Sequence, residues 1–289
     1  MNKQSKIITA IYFDLYGTSL GGRPGRNDHY LYSLKSIMSI SDAQFIIYTN
    51  DKNKVYNFYK QYLTFRLDNI YIEEYDLYHS KYSDLINRIK NIEETKKSDR
   101  CIELQYSKFT WLSQNISDCE YIYWIDAGLC HSGLFPNKYL KVHTGNYYDS
   151  YYGSDIFTNK WINNINSAVA DKVLVCAKDN VRNYWDGPVP DRYFKNSPCS
   201  TRHIIGGIFG GNIIKIQLLT KYFDSLVKEI LNNESRFYSE EQIFSCLFFN
   251  YPELFHAENF DIWWHEDNTS DQELLSNNKS FYRIIEKFI

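Results

Sequence analysis

Eight residues, Tyr121-Ile122-Tyr123-Trp124-Ile125-Asp126-Ala127-Gly128, constrain the fold more than any other part of the chain. The first five are apolar or aromatic without alternation, the pattern of a strand covered on both faces. Such strands belong to parallel sheets whose two faces are packed with helices. The run stops at one carboxylate, Asp126, and Gly128 lets the chain turn away. A charge therefore stands at the carboxyl end of a buried strand, where open α/β sheets bind their ligands. A carboxylate in that place either caps the following turn or holds a hard divalent cation that bridges phosphate oxygens.

The patterns on either side alternate between strand and helix. Lys6–Phe13 reads as a first strand, followed by a polar loop through Gly25. Asp28–Ile40 reads as a helix with Leu31, Leu34, Ile37 and Met38 on one face. Ala43–Tyr48 is a second strand, Lys52–Tyr62 a second helix and Asn69–Ile72 a short third strand. Helices over Ser80–Ile92 and Glu103–Asn115 precede the strand Cys119–Ile125. This order predicts an α/β fold with a mostly parallel central sheet flanked by helices. Beyond it, 132–159 reads as long loops, Lys172–Ala177 as a strand and 187–201 as a flap. Ile204–Phe209 is a further strand, and Ile213–Leu231 and Phe237–Phe249 are helices, the latter with Ile243, Leu247 and Phe248 as its apolar side. No linker forces a boundary, so the 289 residues are expected to form one domain.

Composition excludes several classes. A net charge of −3 argues against a dedicated nucleic-acid binder, which is usually basic. The six cysteines show no paired C-x-x-C spacing and read as the reduced cysteines of a cytoplasmic protein. Asp14 interrupts the N-terminal apolar stretch, so no secretory signal is expected, and no run approaches the roughly 18 apolar residues of a membrane span. The segment 281–289 either lies on a membrane surface as a short amphipathic helix or packs back on its own domain. The 26 Tyr and 18 Phe suit surfaces that stack on sugars, although a chain rich in Tyr, Ile, Asn and Lys also follows from an AT-rich genome.

Two further motifs join Asp126. Ile204-Ile205-Gly206-Gly207-Ile208-Phe209-Gly210-Gly211-Asn212 places paired glycines on each side of a strand core, which either relieves crowding in the sheet or admits a substrate to the backbone. Ser239-Glu240-Glu241-Gln242 opens the next helix. Ser239 is a good N-cap and the two acids suit the helix dipole. A carboxylate there is also placed to receive an acceptor proton or to face a developing oxocarbenium ion.

Together these motifs resemble the GT-A glycosyltransferases, and most nearly the bacterial HtrL/YibB-like family. The resemblance runs from Ile7–Asp14 through the Arg23 and Arg26 loop, Tyr30, Tyr48-Thr49 and Tyr106-Ser107-Lys108-Phe109. It continues through Trp124-Ile125-Asp126-Ala127-Gly128 to the glycine segment and Glu241-Gln242. It implies transfer of a hexosyl or pentosyl group from a nucleoside-diphosphate sugar to a hydroxyl acceptor, a cell-surface glycan or, for a phage or viral chain, a modified DNA base. Residues 1–128 would form the nucleotide-binding half and 129–289 the sugar and acceptor half. Thr9, Ala10 and Tyr12 would hold the base and ribose, and Arg26 and Lys108 would add positive charge. Ile125, Asp126, Ala127 and Gly128 would surround the diphosphate with Mn²⁺ or Mg²⁺ on Asp126. Gly206 and Gly207 would border the sugar, and Glu241 would act at the reacting centre.

One departure stands out: the family's acidic motif has a second Asp where this chain has Gly128, which leaves His256 or His265 to complete a metal shell. Two other readings compete. Phe13-Asp14-Leu15-Tyr16-Gly17-Thr18, with Thr49-Asn50 ending the second strand, looks like the nucleophile motif of haloacid-dehalogenase-type hydrolases. Loss of the second Asp also fits a non-catalytic sugar-binding protein.

Overall fold

The periodicities above resolve into a mixed α/β fold in a computed structural model. It describes residues 5–13, 26–90, 99–129, 140–142, 151–152, 157–178, 189–195, 203–262, 280–282 and 287–288. The first half contributes β1 (Ser5–Ile11), α1 (Arg26–Ile37), β2 (Ala43–Thr49), α2 (Lys52–Tyr62), β3 (Ile70–Glu74), α3 (Ser83–Lys90), α4 (Asp99–Gln114) and β4 (Tyr121–Ile125). The second half adds a small β5/β6 ribbon (Leu140–Val142, Tyr151–Tyr152), then α5 (Asn159–Val169), β7 (Val173–Lys178), β8 (His203–Asn212), α6 (Ile213–Asn233), α7 (Glu240–Asn250), β9 (Phe255–Ile262) and β10 (Ser280–Tyr282).

Eight strands form one sheet in the order β10-β9-β7-β8-β4-β1-β2-β3. β1 pairs in parallel with β2 and β4, β2 with β3, and β7 with β9. β8 runs against both of its neighbours, β4 and β7, and β10 runs against β9. The sheet is therefore mostly parallel, and strands of both halves of the chain share it. Asp126 lies just beyond the carboxyl end of β4, on the same edge as the ends of β1 and β2.

Adjacent strand residues feed opposite layers, as the pleat requires. Ile8, Ile46, Ile122 and Trp124 join the core under α3, α4, α6 and α7. Ile7, Phe45, Tyr123 and Ile125 join the core under α1, α2 and α5. Leu31, Leu34, Ile37 and Met38 are all buried, as the spacing of α1 requires. Phe109 stacks on Phe223 with ring centroids 3.5 Å apart, tying α4 to α6.

The second glycine pair of β8 has a purely architectural cause. Gly210 and Gly211 both adopt φ +151°. A Cβ at Gly210 would stand 2.3 Å from the Ile122 carbonyl oxygen, and one at Gly211 would stand 2.3 Å from that of Lys172. Only glycine lets β8 lie this close to β4 and to the turn before β7.

Of the C-terminal segment, 280–282 and 287–288 pack back on the domain, as the second reading above expects, and 283–286 lie outside the described residues. Ser280–Tyr282 adds an edge strand to β9, Phe288 is buried in the core, and Asn164 Nδ2 donates to the Phe288 carbonyl at 3.0 Å. Among the described residues no helix is long and apolar enough to cross a membrane.

Candidate functional site

The Asp126, Gly206–Gly207 and Glu240–Glu241 segments meet around one buried lysine. Lys108, on the sheet-facing side of α4, is 5 % exposed. Its Nζ donates to Glu240 Oε1 at 2.8 Å and to the Gly206 carbonyl at 3.2 Å, and it stands 3.0 Å from Asp126 Oδ1. An ammonium has three donors, and all three are spent inside the protein. Burial works against its charge, but the Asp126 and Glu240 carboxylates outweigh this and hold the ammonium above the ordinary lysine range. Lys108 belongs to the site, but from beneath, and not as a group that meets a ligand.

Asp126 is fixed on one side and open on the other. Oδ1 accepts the Trp124 indole N–H at 2.6 Å in addition to facing Lys108. Its backbone N–H donates to the Gly207 carbonyl at 2.8 Å. The side chain remains 42 % exposed, and Oδ2 makes no polar contact among the described residues. A carboxylate oriented by hydrogen bonds on one oxygen, with the other free, is the form in which a carboxylate ligates a metal. Mg²⁺-type ions take one or two carboxylates and fill the rest of their shell with phosphate oxygens and water. Asp126 could thus serve as a protein ligand of such an ion, the rest of whose shell would come from other oxygens. Among the described residues no group of three His, Cys, Asp or Glu side chains could hold a metal unaided.

Glu240 and Glu241 occupy different environments although adjacent. The spacing Glu240, Ile243, Phe244, Leu247 puts Glu240 on the buried face of α7, where it is 3 % exposed. Burial raises its carboxyl above the usual range, with Lys108 opposing this and Glu241 adding to it. Its Oε2 has no hydrogen-bond partner among the described residues. Gly206 is glycine because this carboxylate lies against it: an added Cβ would stand 2.8 Å from Glu240 Oε1 and 3.3 Å from Glu241 Cγ. Glu241 remains 24 % exposed at its side chain. Oε1 accepts the Gly206 N–H at 2.8 Å, and Oε2 stands 3.3 Å from His203 Nε2. The other His203 nitrogen, Nδ1, is 3.2 Å from the Ser245 hydroxyl. Ser245 in turn donates to the Glu241 carbonyl at 2.6 Å. Ser239 and Gln242 close a capping box that fixes this helix start.

Beside this cluster, at the carboxyl ends of β1, β2 and β3, a cleft of about 270 Å³ is lined by Tyr12, Phe13, Asn50, Glu74, Tyr75, Asp76 and Leu77. Its aromatic wall is fixed by stacking. Trp111 lies parallel to Tyr48 at 4.3 Å and to Tyr12 at 6.3 Å, with Tyr75 edge-on at 5.5 Å.

The remaining expected site residues divide by position. Tyr12 lines the cleft. Thr9 and Ile125 are fully buried and Ala127 nearly so, and they shape the site from behind. Ala10 and Gly128 are half-buried near the strand ends, and Gly207 is buried and bonded to Asp126. Arg26 begins α1, but its side chain, like Arg23, Asp14 and His265, lies outside the described residues. The structure does not bring His256 to Asp126. It pairs with Leu174, which stands opposite Gly210 and so level with Tyr123. That leaves three strand spacings, roughly 14 Å, between its strand and β4. Its Nε2 is 2.7 Å from Glu258 Oε1 instead.

No protein-family model matches the chain, the HtrL/YibB-like family included, and no curated protein does. Solved structures are similar to it at low identity. One is 4-diphosphocytidyl-2C-methyl-D-erythritol synthase from Anaerococcus prevotii DSM 20548, with 10 % identity and a TM-score of 0.42, covering 96 % of this chain and 95 % of that one. Another is the apo form of mouse xyloside xylosyltransferase 1, with 10 % identity and a TM-score of 0.46, covering 96 % of this chain and 97 % of that one.

Proposed function

We propose that the chain is a glycosyltransferase that moves a sugar from a nucleoside-diphosphate sugar to a hydroxyl acceptor. The observation that supports this most is the convergence of an oriented, half-open carboxylate and a second, separately held carboxylate beside an aromatic cleft, all at the carboxyl ends of parallel strands. On this reading the base enters the cleft, the diphosphate lies over Asp126, and the sugar reaches toward Gly206 and Glu241. Asp126 would hold Mn²⁺ or Mg²⁺, which would supply positive charge to the leaving diphosphate when bound. Lys108 and the Trp124 N–H keep Asp126 turned outward. Glu241, held through both oxygens, faces the reacting carbon, where it stabilises positive charge or takes the acceptor proton. Glu240, buried against Lys108, has no path to an acceptor and fixes the lysine.

The test is a panel of nucleoside-diphosphate sugars assayed for hydrolysis and transfer, with Glu241→Gln as the control. Gln preserves side-chain volume, the Gly206 N–H bond and the Ser239 cap, so the melting temperature should stay close to wild type. Turnover should fall by about 10²-fold or more, with donor affinity little changed. Near-normal transfer by the variant would remove Glu241 from the reaction.

A further inference from the structure

The cleft at the ends of β1–β3 has an unusual hydrogen-bond inventory. Tyr12 has given its hydroxyl proton to the Tyr75 carbonyl at 2.8 Å, and Tyr75 has given its own to the His79 carbonyl at 3.3 Å. The Asn50 amide is locked at both ends on the Phe13 backbone: Oδ1 accepts the Phe13 N–H, and Nδ2 donates to the Phe13 carbonyl, each at 3.0 Å. The amide cannot turn to present its oxygen or nitrogen at will, and it keeps one N–H in reserve. What the lining offers in quantity is acceptors. Among the described residues Glu74 makes no polar contact, and Asp76 spends one oxygen on the Tyr78 N–H at 3.0 Å and keeps the other. No cationic side chain is among the described lining residues.

An aromatic lining, with Tyr12 and Tyr75 set nearly at right angles through Trp111 and two carboxylates on the rim, discriminates among bases. Uracil presents an N–H flanked by two carbonyl oxygens, which ionised carboxylates repel. Cytosine and adenine each offer one amino group next to a bare acceptor nitrogen. Guanine alone offers adjacent N1–H and N2–H donors, the spacing that a carboxylate accepts as a parallel pair, and its O6 suits the remaining Asn50 N–H. We propose that this cleft selects guanine, so that the donor is a guanosine-diphosphate sugar; this rests on the nucleotide-sugar reading above.

Titration calorimetry of the whole chain with GDP, UDP, CDP and ADP, each with Mn²⁺, tests the proposal. GDP should bind at least about tenfold more tightly than the others, the worth of one or two hydrogen bonds to a charged group. Glu74→Gln and Asp76→Asn together should weaken GDP by about tenfold while moving UDP less than about twofold. Both side chains are exposed, and Asn keeps an oxygen for the Tyr78 N–H, so the variant should melt with the wild type. UDP, CDP or ADP binding as tightly as GDP would overturn the guanine assignment and leave the nucleotide site standing. So would a variant with undiminished GDP affinity. Binding of none of the four would remove the nucleotide site itself.

Discussion

Replacing Lys108 with Met leaves the stem of the side chain in place and deletes only the charge that Asp126, Glu240 and the Gly206 carbonyl share. Asp126 is partly in water and loses little. Glu240 is 3 % exposed and would be left as an uncompensated buried carboxylate, and breaking a buried pair from one side costs roughly 3–5 kcal/mol. Unfolding entropy of about 2.1 cal/mol/K per residue over 289 residues gives ~0.6 kcal/mol/K, so the midpoint should drop by about 5–8 °C. The loss should depend on pH, with a definite sign. Burial already raises the folded-state value of Glu240 above its ordinary 4.5, and Lys108 is the main opposing influence; without it the value rises further. A carboxyl raised on folding contributes stability below its unfolded value and loses that contribution as pH climbs through the folded one. The variant should therefore be most destabilised near pH 8 and recover toward pH 5. Lys108→Met with Glu240→Gln removes the stranded charge and should regain most of the loss and flatten the pH dependence. Calorimetric melts of wild type, single and double variants at three pH values decide this. A single variant melting with the wild type at pH 8, or a double variant no better than the single, would refute the account of a charge-coupled buried pair.

Two shorter predictions follow from the same geometry. Asp126→Asn keeps an acceptor for the Trp124 N–H and should melt close to wild type, but Mn²⁺-dependent donor affinity should fall by about 10-fold or more; unchanged affinity in the presence of Mn²⁺ would remove Asp126 as the metal's ligand. Gly206→Ala and Gly210→Ala should separate function from architecture. Gly210→Ala pushes a Cβ into backbone at positive φ and should cost about 3 kcal/mol or more, whereas Gly206→Ala displaces the Glu240 and Glu241 side chains and should lower turnover more than stability; equal melting temperatures for the two variants would contradict this division.

The reach of the sequence ended where chemistry depended on pairs distant along the chain. Local pattern located β1, β2, β4 and α2 to within two residues, because their apolar spacing answers to the sheet directly beneath. It missed α5, whose Trp161, Ile162, Ile165 and Val169 follow helical spacing but are diluted by asparagine. It also missed β9, whose apolar alternation is interrupted by charged side chains. The antiparallel course of β8 has no local signature, since direction is set by the neighbours on which a strand lands. At the site, Asp126 and the Glu240-Glu241 pair were visible as motifs. The separation of the two acids into a buried and an accessible one was also readable, from the spacing of Glu240 with Ile243, Phe244 and Leu247. So was the Trp124 donor, two residues before Asp126 on the same strand face. Invisible were the bond from α4 to α7 through Lys108 and the cleft, whose lining comes from three separate stretches of chain.

The cleft and the lysine cluster are built on different principles, and this bears on how such a chain could diversify. Lys108, Asp126, Gly206 and Glu240 come from four segments that interlock at 3.2 Å or less, so loss of the lysine's charge is felt by all of them. The carboxylates at the rim of the cleft sit within one short stretch, 74–77, at the end of the edge strand β3, and are exposed. That stretch can be rewritten while the interlocked residues stay as they are, and on the nucleotide reading proposed above the preferred base would change with it.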